Sequence, residues 1–389
     1  MKVLTVVLLA IAIVLSAAAV IPAPNLTMLA LTIAVPELAP WLALFLLVAC
    51  AGALRFHRRL APFLLAAAFI VAWPLTRIPG VEQRMAAQLP QPLLQPLPQP
   101  VPQPLPQPMP QLLPQPLLLG LPDFFRPIEA GDIQPETLPL NIRYYRPKVA
   151  GTHPSLIEIY GGAWQRGSPE DNRQFAGYMA SRGYAVFAID YRHAPAARFP
   201  AQIEDVRAAI AFVHANAERY QADGDRIALC GRSAGGQLAL LAAYEAGPVP
   251  IRAVISFYGP SDLVRGYLEL PSPDPIDVRR VLETYLGGSP SQAPGIYRTA
   301  SPATYANRPL PPTLLIQGAR DHIVKPEFAR ALQQKLMASG NQAVLLELPW
   351  AEHAFDAAFQ GIGNRLALRW IEPFLEQAMG APRPPARLN

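Results

Sequence analysis

From about residue 121 onward the chain predicts an α/β fold, a mostly parallel central sheet with helices on both faces. Two observations lead there: short β-branched or aliphatic runs alternate with longer helical stretches, and two Gly-rich segments sit at the ends of such runs. A third observation concerns the rest of the chain. Apolar residues crowd the first eighty positions and prolines the next forty, so the α/β unit is expected to be preceded by transmembrane helices.

The first apolar run, residues 3–21, follows a single Lys2 and has bilayer-spanning length. It reads as a first transmembrane helix or uncleaved signal anchor, with a cleaved signal peptide ending near the small residues 17–19 as the competing reading. A second stretch, residues 26–54, is broken by Pro36, Glu37 and Pro40, which leaves 38–54 as its spanning part. A third covers residues 60–75 with Pro62 and Pro74 near its ends, where a helix tolerates proline best. A buried soluble helix is the alternative for each of the last two, but neither shows a polar face at helical spacing. Between them lies Arg55-Phe56-His57-Arg58-Arg59, which by the positive-inside tendency stays cytoplasmic and sends everything after residue 75 to the extracytoplasmic side. Leu47-Val48-Ala49-Cys50 matches a lipoprotein processing box, but its distance from the N-terminus and the cationic loop after it argue against lipidation.

Residues 89–116 repeat Pro-Gln-Pro-Leu and its variants, with too few backbone donors for helix or sheet. They predict a polyproline II spacer that, at ~3.1 Å per residue, would hold the globular unit up to roughly 85 Å from the bilayer. Recognition by adaptor domains that read Pro-rich segments is the alternative to a plain stalk. The expected organisation is a membrane anchor of about three transmembrane helices (1–80), a Pro/Gln/Leu-rich linker (81–120), a catalytic domain (121–380) and a flexible tail (381–389).

Within the α/β unit the expected strands are 142–145, 156–160, 185–189, 227–230, 253–257, 313–317 and 344–348, separated by helical patterns such as 202–220, 327–339 and 355–379. The strongest local signal is Gly231-Arg232-Ser233-Ala234-Gly235-Gly236, which follows a strand and opens an apolar helix. A sharp strand-to-helix turn leaves no room for side chains beside the serine, which explains the flanking small residues and makes Ser233 a candidate nucleophile. An ordinary Gly-rich turn is the competing reading.

A serine hydroxyl needs a base to take its proton. On such a sheet the partners follow the serine in the order acid, then histidine. Only His322 and His353 come after Ser233, and His322 adjoins the best acid candidate, so His353 is the base by elimination. Asp321 lies just beyond the strand 313–317, where its carboxylate can hold the imidazole in the tautomer that accepts the serine proton. Asp262 is the runner-up acid, and a helix cap before Pro326 is the structural alternative for Asp321. Tyr160-Gly161-Gly162-Ala163-Trp164, at another strand end, offers closely spaced backbone N–H groups that with the N–H of Ala234 suit an oxyanion hole.

These motifs resemble the α/β-hydrolase superfamily and, within it, the hormone-sensitive-lipase-like and feruloyl-esterase-like (BD-FAE-like) carboxylesterases. The resemblance covers roughly residues 121–379 and rests on four motifs in order: the Gly-Gly segment, Asp190-Tyr191-Arg192 with Phe199-Pro200-Ala201-Gln202, the elbow, and the pair Asp321 and His353. It implies an α/β-hydrolase fold, an ester-cleaving serine site and oxyanion donors on Gly162 and Ala163. The family shows His-Gly-Gly-Gly where this chain has Tyr160-Gly161-Gly162-Ala163, and the alanine lacks the freedom of glycine to adopt positive φ. The family also implies that residues 258–303 lie over the active site as a lid.

The expected activity is hydrolysis of a small-molecule or lipid-like ester without metal or organic cofactor. Peptide or amide cleavage on the same triad and a catalytically silent membrane-displayed binding domain are the alternatives. A net charge of +5 with scattered arginines argues against nucleic acid as a partner. The two cysteines, Cys50 and Cys230, fall in a lipid-like run and an expected buried strand, so a disulfide between them is not expected.

Overall fold

The computed structural model describes residues 2–88, 121–245 and 247–380, so the 89–120 part of the expected linker and the expected tail at 381–389 lie outside the described residues. The apolar N-terminal runs form four helices: α1 (Lys2–Val20), α2 (Leu26–Glu37), α3 (Ala39–Phe56) and α4 (Ala61–Gln88). Asn25 caps α2 through Met28 N, and the chain turns at Leu38, between Pro36 and Pro40, so that the second apolar stretch becomes two helices. By length and composition α3 and α4 are long and apolar enough to cross a membrane, and α1 and α2 are further apolar helices.

Helix α4 departs from expectation. The anchor was expected to end at residue 80, yet the helix continues past Pro79 to Gln88, eight residues into the expected linker. A proline inside a helix costs about 3 kcal/mol. Here tertiary packing offsets that cost, because Ile78, Val81 and Met85 are buried in the same apolar cluster as the α/β unit. Gln88 completes the contact. Its amide accepts from Leu345 N at 3.0 Å and donates to Leu345 O at 3.1 Å, covering the open edge of the last strand. The expected spacer of up to roughly 85 Å falls on residues outside those described, and the described N-terminal helices are in direct contact with the α/β unit.

The α/β unit contains, in chain order, β1 (Glu136–Leu138), β2 (Ile142–Tyr145), β3 (His153–Ile159), α5 (Arg173–Ser181), β4 (Ala185–Ile189), α6 (Ala201–Ala215), β5 (Ala222–Arg232), α7 (Ala234–Tyr244), β6 (Ile251–Phe257), α8 (Leu263–Leu268), α9 (Val278–Leu286), α10 (Pro294–Ala300), β7 (Thr313–Gly318), α11 (Pro326–Ala338), β8 (Ala343–Leu348) and α12 (Ile362–Met379). The eight strands form one sheet in the order β1-β2-β4-β3-β5-β6-β7-β8. The first two pairings are antiparallel and the rest parallel. This is the α/β-hydrolase fold.

Alternation along the strands sorts side chains onto the two faces. Ile157, Ile159 and Leu229 point into a core shared with α6 and α7, while Leu156, Ala228 and Cys230 point into one shared with α5, α12 and the end of α4. The parallel register sets Ile159 beside Gly231, so the chain leaves β3 and β5 at the same edge, where the Gly-Gly segment and the serine turn lie side by side.

Candidate active site

Ser233 sits at the turn from β5 into α7 with φ 52° and ψ −118°, a left-handed backbone that only a tightly held turn maintains. The flanking glycines are required sterically. A Cβ on Gly231 would lie 2.1 Å from Gly235 O, and one on Gly235 would lie 2.2 Å from Ile159 O. Ser233 N donates to Phe257 O on the neighbouring strand, which ties the turn to the sheet.

His353 and Asp321 converge on this serine from loops after β8 and β7. His353 Nε2 is 2.9 Å from Ser233 Oγ, and His353 Nδ1 is 2.8 Å from Asp321 Oδ2. Asp321 is held in turn: Oδ2 accepts from Gln317 Nε2, and Oδ1 accepts from the N–H groups of Ile323 and Val324, so the carboxylate also caps the turn before α11. The runner-up acid is engaged elsewhere, since Asp262 caps α8 through Arg265 N. His322 does not enter the line; its Nδ1 is 2.5 Å from Glu352 Oε2. Glu352 Oε1 accepts from both His322 N and His353 N, which binds the loop after β7 to the loop after β8.

The Gly-Gly segment lies against the serine turn: a Cβ on Gly161 would be 2.9 Å from Arg232 O and 3.2 Å from Ser233 Cβ. Gly162 adopts φ +126°, and Ala163 and Trp164 follow at φ 56° and 59°. Ala163 thus takes up the left-handed conformation for which the family uses glycine, at a cost on the order of 1 kcal/mol. Ala234 opens α7, where the first N–H groups have no intrahelical acceptor. Beneath this segment Tyr160 Oη donates to Asp190 Oδ1 at 2.6 Å and lies 2.9 Å from His193 Nε2. Gln202, fully buried, donates to the carbonyls of Arg192 and Ala197 and so fixes the Asp190–Arg192 loop.

Trp164 and Trp350, which flank the Gly-Gly segment and the His353 loop, are both buried and partnered. Trp164 donates to Gln237 Oε1 and stacks on Tyr285 of α9 at 4.1 Å, and Gln237 donates to Ala300 O at the end of α10. Helix α9 therefore packs on the Gly-Gly segment through Tyr285, and the end of α10 on α7 through Ala300.

Sequence reasoning missed a buried ionic cluster under the serine. Arg232 Nε donates to Asp356 Oδ2 at 2.5 Å and its Nη1 to Glu158 Oε1 at 3.1 Å, with the guanidinium between the rings of Phe175 and Phe257. Burial opposes the charge of Arg232, but Asp356, Cys230 and Glu158 more than offset it and raise its pKa above the usual value. Burial pushes the Glu158 carboxyl up to about 7 against the pull of Arg232. Asp356 also accepts from Tyr258 Oη, whose ring packs 4.5 Å from that of His353. A charged residue inside an otherwise small-residue turn was the available signal.

Over its α/β unit the chain is similar to known proteins. The BD-FAE family model matches residues 140–336. Esterase LipC of Mycobacterium tuberculosis (strain ATCC 25618 / H37Rv) is 35% identical over 222 residues, 52% of this chain and 53% of LipC, so the chain spans about half the length of that relative. An acetyl-hydrolase of Streptomyces hygroscopicus is 34% identical over 52% of this chain and 68% of its own. Among solved structures, the Pyrobaculum calidifontis esterase superposes with a TM-score of 0.55 at 26% identity, covering 62% of this chain and 81% of that one. With half of its length matched by the family model, the chain belongs to the BD-FAE family.

Proposed function

We propose that the protein is a membrane-anchored serine carboxylesterase. Ser233 is the nucleophile, His353 the base and Asp321 the orienting acid, and the N–H groups of Gly162, Ala163 and Ala234 receive the oxyanion. The observation that carries this reading is the unbroken line from Ser233 Oγ through both ring nitrogens of His353 to Asp321, at 2.9 and 2.8 Å. In that arrangement Ser233 Oγ attacks the ester carbonyl carbon while His353 Nε2 takes its proton. The tetrahedral oxyanion collapses, the C–O bond to the alcohol breaks, and the alcohol leaves with the proton from His353. Water then repeats the sequence on the acyl-serine and releases the acid. Asp321 holds Nδ1–H throughout and stabilises the imidazolium. The substrate class is a small-molecule or lipid-like carboxylic ester, in keeping with the esterase and acetyl-hydrolase relatives.

The localisation we propose is a multi-pass protein of the cell membrane with its catalytic domain (residues 121–380) on the extracytoplasmic side. Helices α3 and α4 form a hairpin whose turn carries His57, Arg58 and Arg59. Contacts with the catalytic unit include Glu37, at the end of α2 just before α3 begins, and α4 from Ile78 onward, both away from that turn. A cytoplasmic cationic turn then sets the catalytic unit across the bilayer from it.

The reading is tested with the full chain in detergent micelles, wild type beside Ser233→Ala, against short- and long-acyl p-nitrophenyl esters and p-nitroanilide amides. Ester hydrolysis that requires Ser233 and outpaces amide cleavage is the expected result. Preferential amide cleavage would make the protein a peptidase or amidase, and no turnover of either would leave a binding domain.

A further inference from the structure

Helix α2 ends on a carboxylate whose recorded hydrogen-bond partners all belong to the α/β unit. Glu37 is buried (1% exposed). Its Oε1 accepts from Trp350 Nε1 at 3.2 Å and its Oε2 from the backbone N–H of Gly363 at 2.6 Å. These two donors bracket the segment that carries His353. Gly363 lies in the first turn of α12, where N–H groups lack intrahelical acceptors. Burial pushes the Glu37 carboxyl up to about 8 against the pull of these two donors, so the contact is held by hydrogen bonds in a fitted socket and not by a full negative charge. The socket is shaped to this carboxylate: a Cβ on Gly361 would lie 2.7 Å from Oε2, and one on Gly363 2.8 Å from Oε1.

The acid loop is held from the same side. Arg320, beside Asp321, donates to the carbonyls of Ala19 and Val20 at the C-terminal end of α1, the latter at 2.9 Å. A cation at a helix C-terminus is the favourable sign. The N-terminal helices thus grip both loops that deliver partners to Ser233, and a passive anchor has no use for a buried carboxylate aimed into the base loop.

We propose that Glu37 is a positioning residue for His353: by holding Trp350 and the start of α12, the docked N-terminal helices keep the base in line with Ser233. The inference rests on the function proposed above. It makes the membrane segment part of the catalytic apparatus, so turnover depends on helix docking and not on the α/β unit alone.

The test compares full-length wild type, Glu37→Ala, Glu37→Gln, Trp350→Phe and Ser233→Ala in detergent, reading kcat and KM for p-nitrophenyl acetate with thermal unfolding as the check on folding. Glu37→Ala is expected to lower kcat roughly tenfold or more with KM changed less than about twofold, because small displacements of a base are costly to turnover. Trp350→Phe, which deletes one donor and keeps an aromatic ring, lowers kcat by a smaller factor. A variant that combines Glu37→Ala with Trp350→Phe, measured beside them, falls no further than Glu37→Ala, since the acceptor is already gone. Glu37→Gln lies between, retaining one acceptor oxygen. Should Glu37→Ala fail to fold, Trp350→Phe and Glu37→Gln carry the comparison. Wild-type kcat in the folded variants, or a change confined to KM, overturns the positioning role. Absence of Ser233-dependent turnover in the wild type overturns the functional reading instead.

Discussion

Replacing Arg232 by methionine tests how the serine turn and the histidine loop are joined. The guanidinium side chain is 5% exposed and its partners Glu158 and Asp356 are 1% and 4% exposed. Removing one partner of a buried pair costs about 3–5 kcal/mol, because the other charges stay buried without a counter-ion. Loss of the contacts with Phe175 and Phe257 adds up to about 2 kcal/mol. Two effects work the other way. Methionine refills most of the stem volume, and Glu158, already pushed up to about 7, sheds its charge at little cost. A net loss on the order of 3 kcal/mol remains, which for a unit of this size lowers Tm by roughly 6–12 °C. Without Arg232 the Glu158 carboxyl loses the pull that opposes its burial and rises further above about 7, so the variant should be most stable below the ordinary carboxylate range and lose stability as pH rises. Neutralising both carboxylates as well, in Glu158→Gln and Asp356→Asn, should restore part of the loss at neutral pH. Thermal unfolding from pH 5 to 8 is the assay. A Tm within about 2 °C of wild type would falsify the view of Arg232 as the counter-ion that holds this cluster together.

Asp321→Asn should leave the fold intact and present His353 with the wrong tautomer, lowering kcat on the order of 10⁴-fold; steady-state hydrolysis measures it, and a loss under about tenfold would move the acid role elsewhere. The hydrogen bond from His322 to Glu352, against the opposing effect of burial, raises the His322 pKa above the ordinary histidine value of about 6.5. Its folded pKa exceeds its unfolded one, so the pair contributes stability that is fully present below about 6.5 and lost as pH rises through the higher folded value. His322→Gln should flatten the fall of Tm over that window, and an unchanged slope would assign the pH dependence to other groups.

The parts of this structure that sequence made legible are those governed by local pattern. Strands 142–145 and 185–189 coincide with β2 and β4 because their buried aliphatic and aromatic runs are short and cleanly bounded. The serine turn was legible because its glycines are demanded by backbone contacts under 3 Å, and the partner histidine because only one candidate was free to reach it. Features set by distant partners were not legible. β1 is three residues at a sheet edge with one buried side chain, and nothing in Glu136–Leu138 announces it. β5 starts five residues before the expected 227 because Ala222 and Asp223 pair with His153 and Pro154 across an irregularity. The third apolar run was expected to end at residue 75, just after Pro74, and only the packing of Val81 and Met85 on the α/β unit carries α4 onward. Glu37 read as an interruption of an apolar run, because its donors lie more than three hundred residues away.

The central claim, that Ser233 is a nucleophile activated by His353, is tested most directly by intact-mass analysis of the full chain after exposure to a fluorophosphonate, followed by peptide mapping. The account predicts one adduct, on the peptide containing Ser233, absent in Ser233→Ala and slowed by orders of magnitude in His353→Ala. An unlabelled wild type, or an adduct that persists in Ser233→Ala, would contradict it.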